Sequence, residues 1–362
     1  MVRRLSHVLT ASLVALLLSV PVASAGSLGF AADEGFQAAQ SANAAAVAPA
    51  QTLDAALTTL GATWVRVDVR WNTIAATQPT NARLPGNAAY NWAPVEAQLA
   101  AVRRIVLAQG TPSVLLSIGG TPDWARSDGG AGGAPGDPAW APNRAAFQNF
   151  VAAVVAKYGS TTAAYEIWPN PNVQSGLRPQ RLAGRLVAPG LLRVLTRVAT
   201  TEIRKVTTAP VITGGLARTD PASTVDTPSI AFLRAMARTR IQADAIGVRL
   251  VPPGGVEVPA DAGNLALSDP ATIIANVDAY FPNQGKGIWE TGYAVGSTAS
   301  DLVPVAGVAA FKAAAANPRF GVSIWNTLVD TAAAPASGLY SASTPLDSTT
   351  QKPAWHTWVP PV

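Results

Sequence analysis

From residue 27 onward the chain alternates short apolar or β-branched runs with longer amphipathic stretches, the pattern of repeated βα units feeding a parallel sheet. Strands are predicted at 27–31, 63–71, 113–119, 163–170, 210–216, 244–250, 287–292 and 320–326. Between them, 52–60, 93–109, 144–157, 182–206, 228–239, 270–280 and 302–316 carry apolar residues at helical spacing. This order predicts an α/β fold, a single (β/α)8 TIM barrel. Its eighth helix is expected to be weak or missing. Residues 331–362 are rich in Ala, Ser, Thr and Pro and offer only a short helical stretch near 353–358.

The pattern at the front of the chain is different. Arg3 and Arg4 precede an apolar run over 8–20, and Ala23-Ser24-Ala25 supplies small residues at a cleavage position, the layout of a secretory signal. Residues 1–25 are therefore set apart, and 26–362 are expected to be one secreted, extracytoplasmic domain, with too few residues after the last strand for a second. The run is shorter than the roughly 20 apolar residues of a spanning helix, so no membrane span is expected. The chain has no cysteine, so its stability must rest on a large core rather than on disulfides.

Charge narrows the function further. Of 26 basic residues two lie in the signal, leaving 24 against 21 acidic ones, a net of +3. The basic residues are scattered and lack the interleaved aromatics of a nucleic-acid groove, so no nucleic-acid partner is expected. His356 is the only histidine after the signal. With no cysteine beside it, neither a metal site of the usual zinc type nor a cofactor is expected, and any catalysis should use carboxylates. Oligomeric state is not legible.

The strand predicted at 63–71 alternates valine with charge, which turns Arg66, Asp68 and Arg70 into the barrel, where they must pair. In the fourth strand Glu166, Trp168 and Asn170 share parity and are expected to face inward, with only Asn170 at the top. Glu166 lies four residues lower, roughly 13 Å at about 3.3 Å per residue, and is expected to pair with an interior Arg. A glycine-rich segment at 127–138, Ser-Asp-Gly-Gly-Ala-Gly-Gly-Ala-Pro-Gly-Asp-Pro, reads as a flexible insertion or a lid. It lacks the Lys-Ser/Thr ending of a phosphate loop.

Several segments resemble clan A glycoside hydrolases, closest to the family 39-like barrels. Trp168-Pro169-Asn170-Pro171-Asn172 is similar to their Trp-Asn-Glu-Pro-Asn strand end. The resemblance puts Asn170 where the family has its general acid/base Glu, and Pro169 where it has a sugar-binding Asn. Lys286-Gly287-Ile288-Trp289-Glu290-Thr291-Gly292-Tyr293 is similar to the nucleophile segment, with Glu290 at the nucleophile position, although family members often have Thr before that Glu. Thr121-Pro122-Asp123-Trp124-Ala125 matches a Thr-Pro-x-Trp-Ala motif. Gly247-Val248-Arg249-Leu250-Val251 replaces a Gly-Val-His-Pro-Tyr type strand end, which puts Arg249 in the site.

By this resemblance Arg66 would hold the nucleophile ionised, and Trp124, Trp168, Tyr293 and Trp325 join Pro169 and Arg249 as candidate sugar contacts. Aromatic faces suit the C–H faces of sugar rings. Retaining hydrolysis needs two carboxyl groups about 5–5.5 Å apart, and a carboxamide at Asn170 cannot shuttle a proton. The expectation is a secreted glycosidase-like barrel that binds an oligosaccharide or polysaccharide in a degenerate site. The alternatives are an active O-glycosyl hydrolase with a substitute acid, such as Asp123 or Asp128, and a non-catalytic envelope interaction protein.

Overall fold

A computed structural model describes residues 26–42, 52–108, 110–131, 134–252, 259–295, 302–330, 339–341, 346, 351–352 and 358. The stretch at 1–25 expected to be a signal and, save for Trp358, the helical stretch expected near 353–358 lie outside these residues. The barrel strands are β1 (Ser27–Ala31), β2 (Ala62–Arg70), β3 (Ser113–Gly119) and β4 (Ala164–Ile167). After a small separate hairpin of β5 (Arg181–Leu182) and β6 (Arg185–Leu186) come β7 (Val211–Thr213) and its continuation β8 (Leu216–Ala217). They are followed by β9 (Ala245–Arg249), β10 (Gly287–Tyr293) and β11 (Phe320–Trp325). Counting β7 and β8 as one broken strand, eight parallel strands close on themselves, with β11 pairing β1. This is a single (β/α)8 barrel.

The flanking helices are α1 (Glu34–Ala42), α2 (Leu53–Leu60), α3 (Trp71–Ile74), α4 (Ala93–Arg103) and α5 (Arg144–Tyr158). The chain continues with α6 (Ala188–Ile203), α7 (Ser229–Arg238), α8 (Pro270–Tyr280) and α9 (Leu302–Ala316). Local chemistry sets several of their ends. Thr52 caps α2 by accepting from the Ala55 N–H, and Gly61 closes it in the left-handed region at φ 70°. Asn143 caps α5 and Asp269 caps α8, each through its side-chain oxygen. The helix expected from residue 182 starts instead at Ala188. The stretch before it turns back on itself at Ala183 and Gly184, with φ 47° and 78°, to make the hairpin.

Two apolar cores follow from strand alternation. Val65, Val67 and Val69 of β2 face the helices together with Leu116, Ile118, Ile167, Val211 and Val248. Inside the barrel, Leu115, Ala164, Ile212, Ala245, Trp289, Val322 and Ile324 form a plug capped by Trp64, whose ring meets that of Trp289 edge-on at 5.3 Å. One inward position higher on the same strands the residues turn polar: Arg66, Ser117, Glu166 and Thr291. That change sets a polar layer above the packed floor, toward the carboxyl ends of the strands.

After β11 the described residues are tied to the barrel by a few contacts. Tyr340 bridges Val329 and Gln351, and Trp358 packs on Phe30, Phe311 and Trp325 while its indole N–H donates to the Leu60 carbonyl at 3.2 Å.

Candidate functional site

A cleft of about 740 Å³ opens over the barrel, bordered by Asp33 after β1, Arg66, Asp68 and Arg70 of β2, Gln98 of α4, Arg249 of β9 and Asn326 after β11. A smaller space of about 280 Å³ adjoins it, bordered by Asn72, Ser117, Gly119, Pro169, Asn170 and Ser175. Asp68, Arg70, Thr73 and Arg249 border both. Of the residues singled out in the sequence, Arg66 borders the larger space, Pro169 and Asn170 the smaller, and Arg249 both.

The inward charges of β2 form the expected network. Arg66 donates from Nε and Nη2 to the two carboxylate oxygens of Asp68, at 3.0 and 3.3 Å. Its Nη1 donates to the Thr291 carbonyl at 2.7 Å and to Asn326 Oδ1 at 3.2 Å. Burial would raise the Asp68 carboxyl, but Arg66, Arg249 and Arg70 outweigh it and hold its pKa below the ordinary value. Gln98 fixes the backbone there, accepting from the Asp68 N–H and donating to the Asp68 carbonyl. Asp33 behaves oppositely: burial pushes its carboxyl up to about 6 despite a hydrogen bond from the Phe36 N–H.

Glu166 corrects the expected arginine pairing. Its Oε2 accepts from Ser117 Oγ at 2.6 Å, and its Oε1 from the Gly215 N–H at 2.9 Å and Thr291 Oγ1 at 2.7 Å. Three uncharged donors, from β3, from the break between β7 and β8 and from β10, satisfy this fully buried carboxylate of β4 across the lumen beneath the cleft. Its hydrogen bonds are those of a structural centre.

The expected parity at the end of the fourth strand also fails. β4 stops at Ile167, and positive φ at Trp168 and Asn170, 66° and 56°, turns the chain out of the pleat. The Asn170 N–H donates to the Gly215 carbonyl at 3.0 Å, which places Asn170 at the edge of the smaller space. Trp168 is buried, edge-on to Phe147 at 5.5 Å, with its indole N–H spent on the Gly176 carbonyl. It borders the smaller space without presenting a free ring face.

Glu290 is displaced from the cleft by one residue of register. Trp289 belongs to the interior plug and Thr291 bonds Glu166, so alternation turns Glu290 to the outer side of β10, beside Val248 of β9 and Ser323 of β11. It is fully buried beneath the helix layer, where its oxygens accept from the Gly292 N–H at 3.1 Å and the Leu250 N–H at 3.4 Å. Burial pushes its carboxyl up to about 8, further than those two bonds and Arg249 can lower it. No hydrogen bond of Arg66 goes to Glu290.

The other aromatic candidates are core residues. Tyr293 stacks on Phe311 and meets Trp325 edge-on at 5.5 Å, and Trp325 also packs on Phe311 and Trp358, all between sheet and helices. Trp124 is half-buried on Trp71, donates to the Ala75 carbonyl at 2.7 Å and borders neither space. Asp123 and Asp128 hold the glycine-rich segment: Asp123 accepts from the Gly136 N–H, and Asp128 is held by Arg126 at 3.1 and 3.2 Å. Neither borders the cleft. The segment is fastened by its flanks, with Gly132 and Gly133 outside the described residues.

Sequence reasoning missed Asp33, Gln98, Thr291 and Asn326. Thr291 and Asn326 could have been found by counting outward from Trp289 and Trp325; Gln98 lies on a helix face that no strand rule reaches. Among the described residues no cluster of His, Cys, Asp or Glu could hold a metal ion, and no helix is long and apolar enough to cross a membrane.

No protein-family profile matches the chain, and no curated protein matches its sequence. Solved structures do share its fold. The β-glycosidase of Thermosphaera aggregans superposes with a TM-score of 0.54 at 14% identity, over 87% of this chain and 91% of that one. A family 39 glycoside hydrolase from Bacteroides cellulosilyticus gives 0.53 at 13% identity, over 93% and 63%. The cellulose synthase subunit Z of Clostridioides difficile gives 0.54 at 10% identity, over 92% and 99%. The chain therefore shares its (β/α)8 barrel fold with these structures.

Proposed function

We propose that this protein is a secreted barrel, closest to the family 39-like ones, that binds carbohydrate in the cleft without hydrolysing it. The observation that carries this reading is the orientation of β10: the strand that would carry a nucleophile presents Thr291 inward and Glu290 outward. Opposite it, Asn170 offers a carboxamide where the family resemblance calls for a proton donor. A retaining mechanism needs both carboxyl groups in the cleft, about 5–5.5 Å apart. Losing general acid/base assistance alone costs typically 10²- to 10⁴-fold, and here the attacking group is turned away as well. Binding is supported by the open polar cleft and its many side-chain donors and acceptors.

A glycan array, followed by long incubation of each hit and mass spectrometry of the recovered sugar, tests both halves. The expected result is hits that return at full length, and no label on Glu290 after exposure to activated 2-deoxy-2-fluoro glycosides. Shorter products that disappear in Asp33→Asn would make the protein a hydrolase using the raised carboxyl of Asp33. An array without hits would favour an envelope interaction protein.

A further inference from the structure

Arg249 stands out in the cleft because no carboxylate accepts a hydrogen bond from it among the described residues. Arg66 divides its donors among Asp68, Thr291 and Asn326. Asp68 is held by Arg66 and, at 3.9 Å, by Arg70. Glu166 below is satisfied by Ser117, Gly215 and Thr291. Arg249 has one long contact, from Nη2 to Asn326 Oδ1 at 3.5 Å, and no carboxylate within ion-pair distance among the described residues. A guanidinium carries five N–H donors, and although Glu166, Asp68 and Glu290 lie near enough to favour the charge of Arg249, none of them accepts a hydrogen bond from it. Burial and the neighbouring Arg66 depress its pKa to about 10, which still leaves it charged near neutral pH.

We propose that the cleft takes an oligosaccharide containing uronic-acid residues, and that Arg249 receives the sugar carboxylate. The proposal rests on the carbohydrate-binding reading above and names its substrate class. A planar carboxylate matches the guanidinium fork with two parallel hydrogen bonds, which a neutral hydroxymethyl group at the same ring position cannot make. Arg249 borders both spaces over the barrel, so the charged ring would sit where they join and the chain could extend into each. Asn326 and Asp33, which border the same cleft, can take ring hydroxyls. Asp33 and Asp68 on the same wall oppose clustered negative charge, which favours one carboxylate per ring over a polyphosphate.

Calorimetric titration of the signal-free protein with oligogalacturonate, oligoglucuronate and alginate oligomers, each beside its carboxyl-reduced counterpart, tests the proposal. At least one acidic oligomer is expected to bind about 10-fold or more tighter than its neutral counterpart, the return for charge-assisted hydrogen bonds worth about 1.5–3 kcal/mol. Arg249→Met should bring the acidic affinity down to the neutral level, and Arg249→Lys should keep part of the difference. The comparison on the unaltered protein needs no variant to fold. Equal binding of acidic and neutral oligomers would overturn the proposal while leaving carbohydrate binding intact, and no binding of either would overturn both. Free acetate or sulfate binding as tightly as the acidic oligomers would reduce Arg249 to a general anion site and overturn it too.

Discussion

Glu290 sits between two inward side chains, Trp289 and Thr291, and so turns its carboxyl to the outer side of β10, where it accepts from the Gly292 and Leu250 N–H groups. Its folded pKa of about 8 lies above the ordinary 4.5. The folded state therefore holds a proton that the unfolded chain releases, and the group's contribution to stability is fully present below about pH 4.5 and is lost as pH rises through 8. Glu290→Gln keeps the shape and removes the titration. Melting curves should show the variant gaining on the parent protein across that window, by a few degrees at pH 8 and by little at pH 5. A constant difference at every pH would contradict the outward, desolvated placement. The sequence carried the Glu-Thr-Gly triplet plainly, but one residue of register decides which side chain meets the cleft, and register is set by pairing with β9 and β11 rather than by the triplet. The tryptophans were opaque for a related reason: a large ring near a strand end serves a core as well as a sugar, and Trp168 and Trp325 pack on aromatic rings of the preceding helices, a pairing that residue type alone does not announce.

At the scale of elements, the break between β7 and β8 and the end of β4 are built around each other. A Cβ on Gly214 would lie 1.7 Å from the Trp168 carbonyl oxygen, and one on Gly176 would lie 1.9 Å from that of Asn170. These glycines allow the backbone to approach the turn that displays Pro169 and Asn170. Gly214→Ala should therefore cost about 2–4 kcal/mol in chemical denaturation, among the larger single-site effects. Gly61→Ala, whose Cβ would meet nothing within 4 Å, carries only the penalty of its left-handed φ of 70° and should cost less. Equal losses would mean that the close approach is not what needs glycine. Strand and helix spacing made the barrel legible because Val65, Val67 and Val69 alternate with charge and the helices carry caps such as Thr52 and Asp269. Backbone turns were less legible. The positive φ of Trp168 ends β4 three residues before the predicted end, and neither residue type nor hydrophobic period announces it. The turn also bears on function: restoring the family pair with Pro169→Asn and Asn170→Glu should bring no hydrolysis, since β10 still turns Glu290 away. Release of aryl aglycone by that double variant would return Glu290 to the reaction.

For the molecule as a whole, the barrel supplies a rigid floor, from the Trp64–Trp289 plug up through Glu166, and the strand ends above it supply a charged cleft. On the proposed reading, this cleft positions a sugar but has no paired proton donor and nucleophile at β4 and β10. The account therefore turns on the fate of a bound glycan. The most direct measurement takes an oligosaccharide shown by calorimetry to bind the signal-free protein, incubates it at saturation for days, and weighs the recovered sugar by mass spectrometry. Recovery at full length, with affinity unchanged at the end, is the predicted result. Accumulation of shorter oligosaccharides in proportion to protein concentration would contradict it.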